Sequence, residues 1–131
     1  MNETSRQWLH DALQSARLVR DRVQRITPEN YFDDEWFRSA VERRLEIIGE
    51  ALNRVRRIEP GVEDRFPKIH EWIAQRNVLA HLYDQIDDML VWRVVTDELP
   101  ELITTLEALV ALAELDEAND RTVRNQPGRD C

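Results

Sequence analysis

The stretch FRSAVERRLEIIGEALNRV, residues 37–55, predicts one long helix with a single apolar face. Asp33 or Asp34, shortly before it, can cap this helix by accepting backbone hydrogen bonds. Gly49 lies in its middle, where glycine costs roughly 1 kcal/mol relative to alanine. We therefore expect another backbone to pass close to Gly49, unless it is a tolerated surface glycine. The apolar face repeats every three to four residues through Phe37, Val41, Leu45, Ile48, Leu52 and Val55.

The same period appears on both sides of this stretch. Towards the N-terminus it predicts a first helix from about Thr4 to Ile26, which the proline of TPEN at 27–30 ends. On the C-terminal side, EPGVEDRFPK at 59–68 contains two prolines and a glycine, so we expect a loop. A shorter third helix should then run from near His70 to at least Asn77.

The last helical segment begins at Asp87 or Asp88, either of which can cap it. Pro100 interrupts this segment, because proline lacks a backbone donor and crowds the carbonyl of Thr96. We expect a kink or two abutting helices there. The apolar residues of the segment are Leu90, Val94, Val95, Leu99, Leu102, Leu106, Leu109 and Ala113.

These elements predict an all-α fold, a four- to five-helix up-and-down bundle with a Pro-kinked C-terminal helix. A chain of 131 residues with 42% apolar content suits one domain with a single core. We place this domain at residues 1–118. Residues 119–131 show no apolar period, so we expect a flexible C-terminal tail.

Composition restricts the environment of the protein. Its only cysteine is Cys131, so neither a disulfide within the chain nor a cysteine metal cluster can form. The sequence has no run of about 18 apolar residues and no apolar core of a signal peptide near its start. We therefore expect a cytoplasmic protein that does not associate with membranes.

Charge is distributed unevenly along the chain. The formal net charge of -8 argues, taken whole, against nucleic acid as a partner. Residues 84–120 hold eleven acids against Arg93 alone, whereas residues 38–68 hold eight bases against six acids. A phosphate ligand could therefore still meet the central arginines. The acidic third is either solvated surface or a face for a basic partner.

The stretch RNVLAHLY, residues 76–83, places four polar groups in an otherwise apolar segment. At about 100° per residue, Arg76 and His81 lie roughly 140° apart on a continuous helix, while Asn77 and His81 adjoin. Either the helix loosens near Ala80 or a second chain completes a site. Without such a site, His81 would be a core or interface residue, Arg76 a surface charge and Tyr83 an interface anchor.

Arginine and histidine together suit metal-free cleavage of RNA by its own 2′-hydroxyl. Histidine can take and give protons near neutral pH, and arginine offers a bidentate fork to a phosphate. One chain supplies one such histidine, whereas a symmetric dimer supplies two. A metal site is not expected, since His70 and His81 would lie about three turns, roughly 16 Å, apart, and His10 is isolated.

Four stretches resemble the HepT toxins of the HEPN superfamily of helical ribonucleases. The motif octet matches Arg-Asn, three residues, His, one residue, Tyr, and the resemblance extends from about residue 6 to about residue 112. Leu82 departs from the acidic or polar residue that often precedes the tyrosine. The resembling stretches are RRLEIIGEALNRV at 43–55, FPKIHEWIAQRNVLAH at 66–81, RNVLAHLY at 76–83 and IDDMLVWRVVTDELPELI at 86–103.

The resemblance implies a HEPN-like fold and a metal-independent endoribonuclease that acts as a homodimer. It implies that Arg76 and His81 are catalytic and that Asn77 assists them. It also implies a nucleotidyltransferase antitoxin of the MntA type, which would neutralise the toxin by adenylylation of Tyr83. The antitoxin would use ATP and magnesium, and the toxin itself would need no cofactor. The homodimer that the resemblance implies could itself belong to a larger hetero-oligomer with the antitoxin.

A different class of function stays open. The chain could be a non-catalytic helical subunit that binds nucleotide or holds a nucleotidyltransferase. The joint presence of Arg76, Asn77 and His81 argues against this interpretation. A plain helical interaction module would leave Tyr83, two residues after the histidine, unexplained.

Overall fold

The computed structural model describes residues 1–81 and 86–124, and of Ala80 and His81 only the backbone. This part of the chain is helical throughout, with short connections and no strand, so the predicted all-α class is confirmed. The elements are α1 Glu3–Val23, α2 Pro28–Asp33, α3 Glu35–Ile58, α4 Val62–Arg65, α5 Ile69–His81, α6 Asp88–Arg93, a π-helical turn Val94–Glu98 and α7 Leu99–Arg124.

Side-chain caps fix where the helices begin. The carboxylate of Asp34 accepts a hydrogen bond from the backbone N–H of Phe37 at 3.0 Å, which starts α3. Asp87 does the same for α6, accepting from Met89 at 3.1 Å and Leu90 at 3.2 Å. Asp34 and Asp87 are each one of the two caps that the sequence offered, and each satisfies donors that a helix start leaves unpaired.

Helix α3 lies between α1 and α5, and α1 also packs against α7. Helices α1 and α7 are antiparallel, because Arg6 contacts Glu117 at 3.5 Å while Arg17, further along α1, contacts Glu107 at 3.2 Å. Part of the acidic third of the sequence is thus paired with α1. The apolar face predicted for α3 is buried in the core at Val41, Leu45, Ile48, Leu52 and Val55.

Two local predictions were wrong. The stretch 59–68 is not loop throughout, since Val62–Arg65 forms the single turn α4. Helix α7 continues to Arg124, so residues 119–124 are helical, and residues 125–131 lie outside the described part. The domain boundary at residue 118 stays a prediction. Leu90, one of the apolar residues of the last helical segment, is 53% exposed, whereas its neighbour Val91 is buried.

The interruption expected at Pro100 takes the form of a π-helical turn. The chain stays helical from Asp88 through Arg124, and the N–H of Leu99 bonds to the carbonyl of Val94, five residues back. A wider turn relieves the contact between the proline ring and the carbonyl four residues earlier. Within the turn, the hydroxyl of Thr96 donates to the carbonyl of Trp92 at 2.9 Å.

Among the residues that the structure describes, no helix is long and apolar enough to cross a membrane.

Candidate functional site

Helix α5 packs closely against α3 at Gly49. A side-chain Cβ at Gly49 would overlap the Cβ of Arg76, and it would lie 2.9 Å from the Cγ of Arg76 and 3.0 Å from the carbonyl oxygen of Trp72. Only glycine leaves room for this approach. The close packing expected at Gly49 is therefore present, and it brings the base of the Arg76 side chain directly onto α3.

The guanidinium of Arg76 is held by two neighbours. Its Nη2 lies 2.9 Å from Oε2 of Glu50, and its Nη1 donates a hydrogen bond to Oδ1 of Asn77 at 2.9 Å. The Arg76 side chain is 32% exposed. Two of its five N–H donors are thus engaged by described residues, and the group remains open to solvent. Arg76 and Asn77, which the sequence proposed as partners, are in direct contact.

Glu50 is shared between two arginines. Its other oxygen, Oε1, accepts from Nε of Arg54 at 3.0 Å, one turn further along α3. The guanidinium of Arg54 lies over the indole of Trp8 in α1, 4.7 Å from the ring centroid, a cation–π arrangement. Residues from α1, α3 and α5 therefore form one connected polar group around the Arg76 guanidinium.

The remaining residues of the motif are described less completely. Helix α5 continues through His81, so the helix does not end at Ala80, but the imidazole of His81 is not described. Tyr83 lies outside the described residues. The distances from His81 and Tyr83 to Arg76 therefore stay predictions.

The other two histidines lie elsewhere and contact single carboxylates. Nε2 of His10 lies 3.4 Å from Glu114, and Nε2 of His70 lies 3.5 Å from Glu63. Among residues 1–79 and 86–124, whose side chains are described, three or more potential metal ligands do not gather at one point. Neither histidine is placed beside Arg76 by these contacts.

An apolar groove adjoins the motif helix. It has a volume of about 290 Å³ and lies between α5 and α6, lined in part by Leu79, Val91 and Val94. At its rim Val78 is 49% exposed and Leu90 is 53% exposed. The groove and these two exposed side chains together make this face a candidate contact surface.

Fold and polar cluster together describe a helical bundle of the HEPN type, with an arginine-asparagine pair on the helix that also carries the histidine. Residues 12–109 match the family model described as "Ribonuclease HepT-like". The chain belongs to the HepT-like ribonuclease family, which confirms the predicted enzyme class and RNA as the class of substrate.

Proteins similar to this chain are also named as ribonucleases. The chain is 34% identical over 102 residues to "Putative RNase MJ1380" of Methanocaldococcus jannaschii, covering 76% of this chain and 91% of that protein. It is 28% identical over 113 residues to "Probable ribonuclease HepT" of Thermococcus cleftensis, covering 83% and 98% respectively. No solved structure matches the chain significantly.

The sequence did not indicate the contact between Glu50 and Arg76. Spacing along α3 showed only that Glu50 and Arg54 are one turn apart and can pair. A signal was nevertheless present, because Gly49 predicted a close neighbour and Glu50 is the next residue. A side chain beside such a contact can reach the helix that makes it.

Proposed function

We propose that this protein is the toxin of a toxin-antitoxin system, a metal-independent endoribonuclease that cleaves RNA in a cleft between two copies of the chain. The observation that supports this most directly is the Arg76 guanidinium, which is partly exposed and oriented by Glu50 and Asn77. A planar donor group held in this way can receive the oxygens of a phosphodiester. Membership of a ribonuclease family supports RNA as the source of that phosphate.

The proposed reaction is a transesterification. His81 of one copy takes the proton of the 2′-hydroxyl, and the 2′-oxygen forms a bond to phosphorus as the bond from phosphorus to the 5′-oxygen breaks. His81 of the second copy donates a proton to the leaving 5′-oxygen. Arg76 binds the phosphoryl oxygens as their charge increases, and Asn77 orients it. The products are a 2′,3′-cyclic phosphate and a 5′-hydroxyl, and no metal takes part.

Helix geometry supports two copies over one. Helix α5 extends through His81, and a continuous helix separates Arg76 and His81 by roughly 140°. A second copy can bring its own histidine to the arginine without distorting the helix. The exposed apolar residues Val78 and Leu90 beside the motif are suited to pairing of this kind.

Regulation is proposed to act on Tyr83. A nucleotidyltransferase antitoxin, using ATP and magnesium, would transfer an adenylyl group to the tyrosine oxygen and release pyrophosphate. The added phosphate would compete for Arg76 with the phosphate of RNA, and the adenosine would occupy the cleft. Leu82 lies between His81 and Tyr83, so the antitoxin would have to recognise the tyrosine without an acidic neighbour at that position.

Cleavage is tested by expressing the chain alone as wild type, His81→Ala, Arg76→Ala and, as a control, Arg43→Ala. Arg43 is an arginine of α3 that pairs with Glu46 at 3.2 Å rather than with Glu50. Wild type and Arg43→Ala should cleave RNA to 2′,3′-cyclic phosphate ends, also in the presence of a chelator, and the other two variants should not. Equal activity of wild type and His81→Ala would refute the proposal, and inhibition by chelator would refute metal independence.

The dimer is tested with Val78→Glu and Leu90→Glu, measured by light scattering and by activity at several protein concentrations. Both variants should shift the protein to monomer and lose activity. Leu115→Glu is the matched control, because Leu115 is also apolar and 56% exposed but lies on α7. An active monomer would refute the shared cleft.

The regulatory step is tested by coexpression with a nucleotidyltransferase of the MntA type and measurement of intact mass. The mass should increase by whole adenylyl units, and Tyr83→Phe should prevent the increase. An unchanged mass for the wild type would refute adenylylation. It would leave the nuclease tests above unaffected.

A further inference from the structure

Glu50 is the residue that connects Arg76 to the rest of the bundle. We propose that Glu50 is a positioning residue of the nuclease site, which orients the Arg76 guanidinium before RNA binds and is itself held by Arg54. This inference rests on the proposed ribonuclease function. The observations are the two short contacts of one carboxylate, 2.9 Å to Nη2 of Arg76 and 3.0 Å to Nε of Arg54.

Stability alone does not account for these contacts. Glu50 and Arg76 are 34% and 32% exposed, and ion pairs at such positions contribute little to folding. Orientation is the larger effect, because a free arginine side chain has about 2 kcal/mol of rotamer entropy to lose on binding. Glu50 and Asn77 restrict that freedom in advance, so less is lost when a phosphate binds.

The support for Glu50 comes from three helices. Arg54 holds Oε1 of Glu50 and stacks on Trp8 of α1, while Gly49 fixes the distance between α3 and α5. A carboxylate with both oxygens bound to fixed partners has one preferred position. The Arg76 guanidinium is thereby located relative to the rigid part of the bundle rather than by α5 alone.

The same carboxylate should also weaken RNA binding. Its negative charge lies beside the guanidinium that would receive the phosphate, and like charges repel. Glu50 therefore has two opposite effects, a loss in binding and a gain in alignment of the reacting phosphate. A residue that only stabilises the fold would not produce this combination.

The test compares Glu50→Gln with Glu46→Gln in steady-state kinetics on one RNA substrate. Both changes remove one negative charge from α3, but Glu46 contacts Arg43 rather than Arg76. For Glu50→Gln we expect kcat to fall roughly 10- to 100-fold, with KM unchanged or lower. For Glu46→Gln we expect both constants to stay within about twofold.

Glu50→Asp and Arg54→Lys provide the second arm. Aspartate keeps the charge on a shorter side chain, so it should recover part of the lost kcat and return KM to the wild-type value. Arg54→Lys keeps Glu50 and the charge but replaces the planar guanidinium, which binds Oε1 and stacks on Trp8, with a flexible ammonium group, and it should lower kcat with little change in KM. This variant tests the inference even where Glu50→Gln does not fold.

Two results would overturn the inference. One is a kcat for Glu50→Gln within about twofold of wild type, and the other is a rise in KM that accompanies the fall in kcat, as general damage to the site would produce. Failure of the nuclease proposal would look different, because wild type and His81→Ala would then be equally inactive or equally active.

Discussion

Two arginines of this bundle, Arg38 and Arg76, each contact a carboxylate, but their other donors bind different groups. Arg38 of α3 contacts Asp88 at 3.4 Å and donates to the backbone carbonyls of Phe32 and, at 3.5 Å, Tyr31. It therefore connects α2, α3 and α6 at the aromatic end of the core. Its guanidinium is engaged in protein contacts on several sides.

Arg76 has a carboxylate and an amide as neighbours, and among the residues described its guanidinium donates no hydrogen bond to a backbone carbonyl. Arg38 is 21% exposed and Arg76 is 32% exposed, so accessibility alone separates them only slightly. The difference lies in what the donors bind. The donors of Arg38 are used by backbone carbonyls, whose positions the fold fixes. The side-chain partners of Arg76 orient its guanidinium and leave other N–H donors for a phosphate.

The largest expected effect separates the two arginines directly. Arg76→Ala should lower RNA cleavage by roughly 10³-fold, because it removes the donors to the phosphoryl oxygens, with little loss of stability. Arg38→Ala should lower the free energy of unfolding by about 1–3 kcal/mol, since it leaves the carbonyl of Phe32 without this donor, and should keep its activity per folded molecule. Cleavage assays and urea unfolding of both variants measure this. If both variants lost activity and were equally stable, the two arginines would not have different roles.

Gly49→Ala should have the next largest effect, on stability and activity together. The new methyl group would overlap Arg76, so α3 and α5 must separate, at a cost of about 1–3 kcal/mol, partly offset by the better helix propensity of alanine. Urea unfolding measures the change, with the exposed Ser39→Ala on α3 as control. A more stable Gly49→Ala protein would show that the two helices can move apart freely.

Tyr31, beside Arg38, should make stability depend on alkaline pH. Burial raises its pKa above the usual value of about 10, and the charges of Glu42 and Asp88 add to this. The folded state then keeps a proton that the unfolded state loses, so the free energy of unfolding falls as pH rises above about 10, by at most about 1.4 kcal/mol per pH unit.

This dependence is tested by measuring unfolding between about pH 8 and pH 11, a range that includes the usual pKa of tyrosine. Tyr31→Phe should lack this part of the decrease, whereas Tyr83→Phe should retain it. Near neutral pH, Tyr31→Phe should be about as stable as wild type or up to about 1 kcal/mol more stable, because the buried hydroxyl has no described hydrogen-bond partner. Identical pH profiles for wild type and Tyr31→Phe would contradict the assignment.

The smallest effect is expected at the pair Arg43 and Glu46. It has the same charges as the pair of Arg76 and Glu50, but Arg43 is 70% exposed. Replacing either residue by alanine should change the free energy of unfolding by less than about 0.5 kcal/mol and leave cleavage unchanged. A large effect in either measurement would show that stability or cleavage depends on charged residues anywhere on the surface of α3, and not only on those beside α5.

Local chemistry made much of the fold predictable. The apolar period of α3, its cap at Asp34 and the cap at Asp87 depend only on neighbouring residues. Gly49 was also informative from local sequence, because the free-energy cost of glycine within a helix indicates a compensating close contact. Helix α4 was missed because one turn is too short to show a period. The extension of α7 to Arg124 was missed because its polar last turns lack an apolar face.

The candidate site was less predictable than the fold. The motif named Arg76 and Asn77, and the structure places their side chains in contact. The partner of Arg76 on α3 and the stacking of Arg54 on Trp8 join residues far apart in the chain, and helical spacing cannot indicate such contacts. The roles of His81 and Tyr83 stay predictions.

The π-helical turn before Pro100 has a consequence for how this chain can change in length. A π turn contains one residue more than the α-helical turn it replaces, and here the extra residue makes room for the proline ring. Deleting one residue within Val94–Glu98 would restore a regular helix and return the clash, unless Pro100 changed as well. The proline and the additional residue should therefore be gained and lost together during evolution, so relatives without this proline should be one residue shorter between α6 and α7.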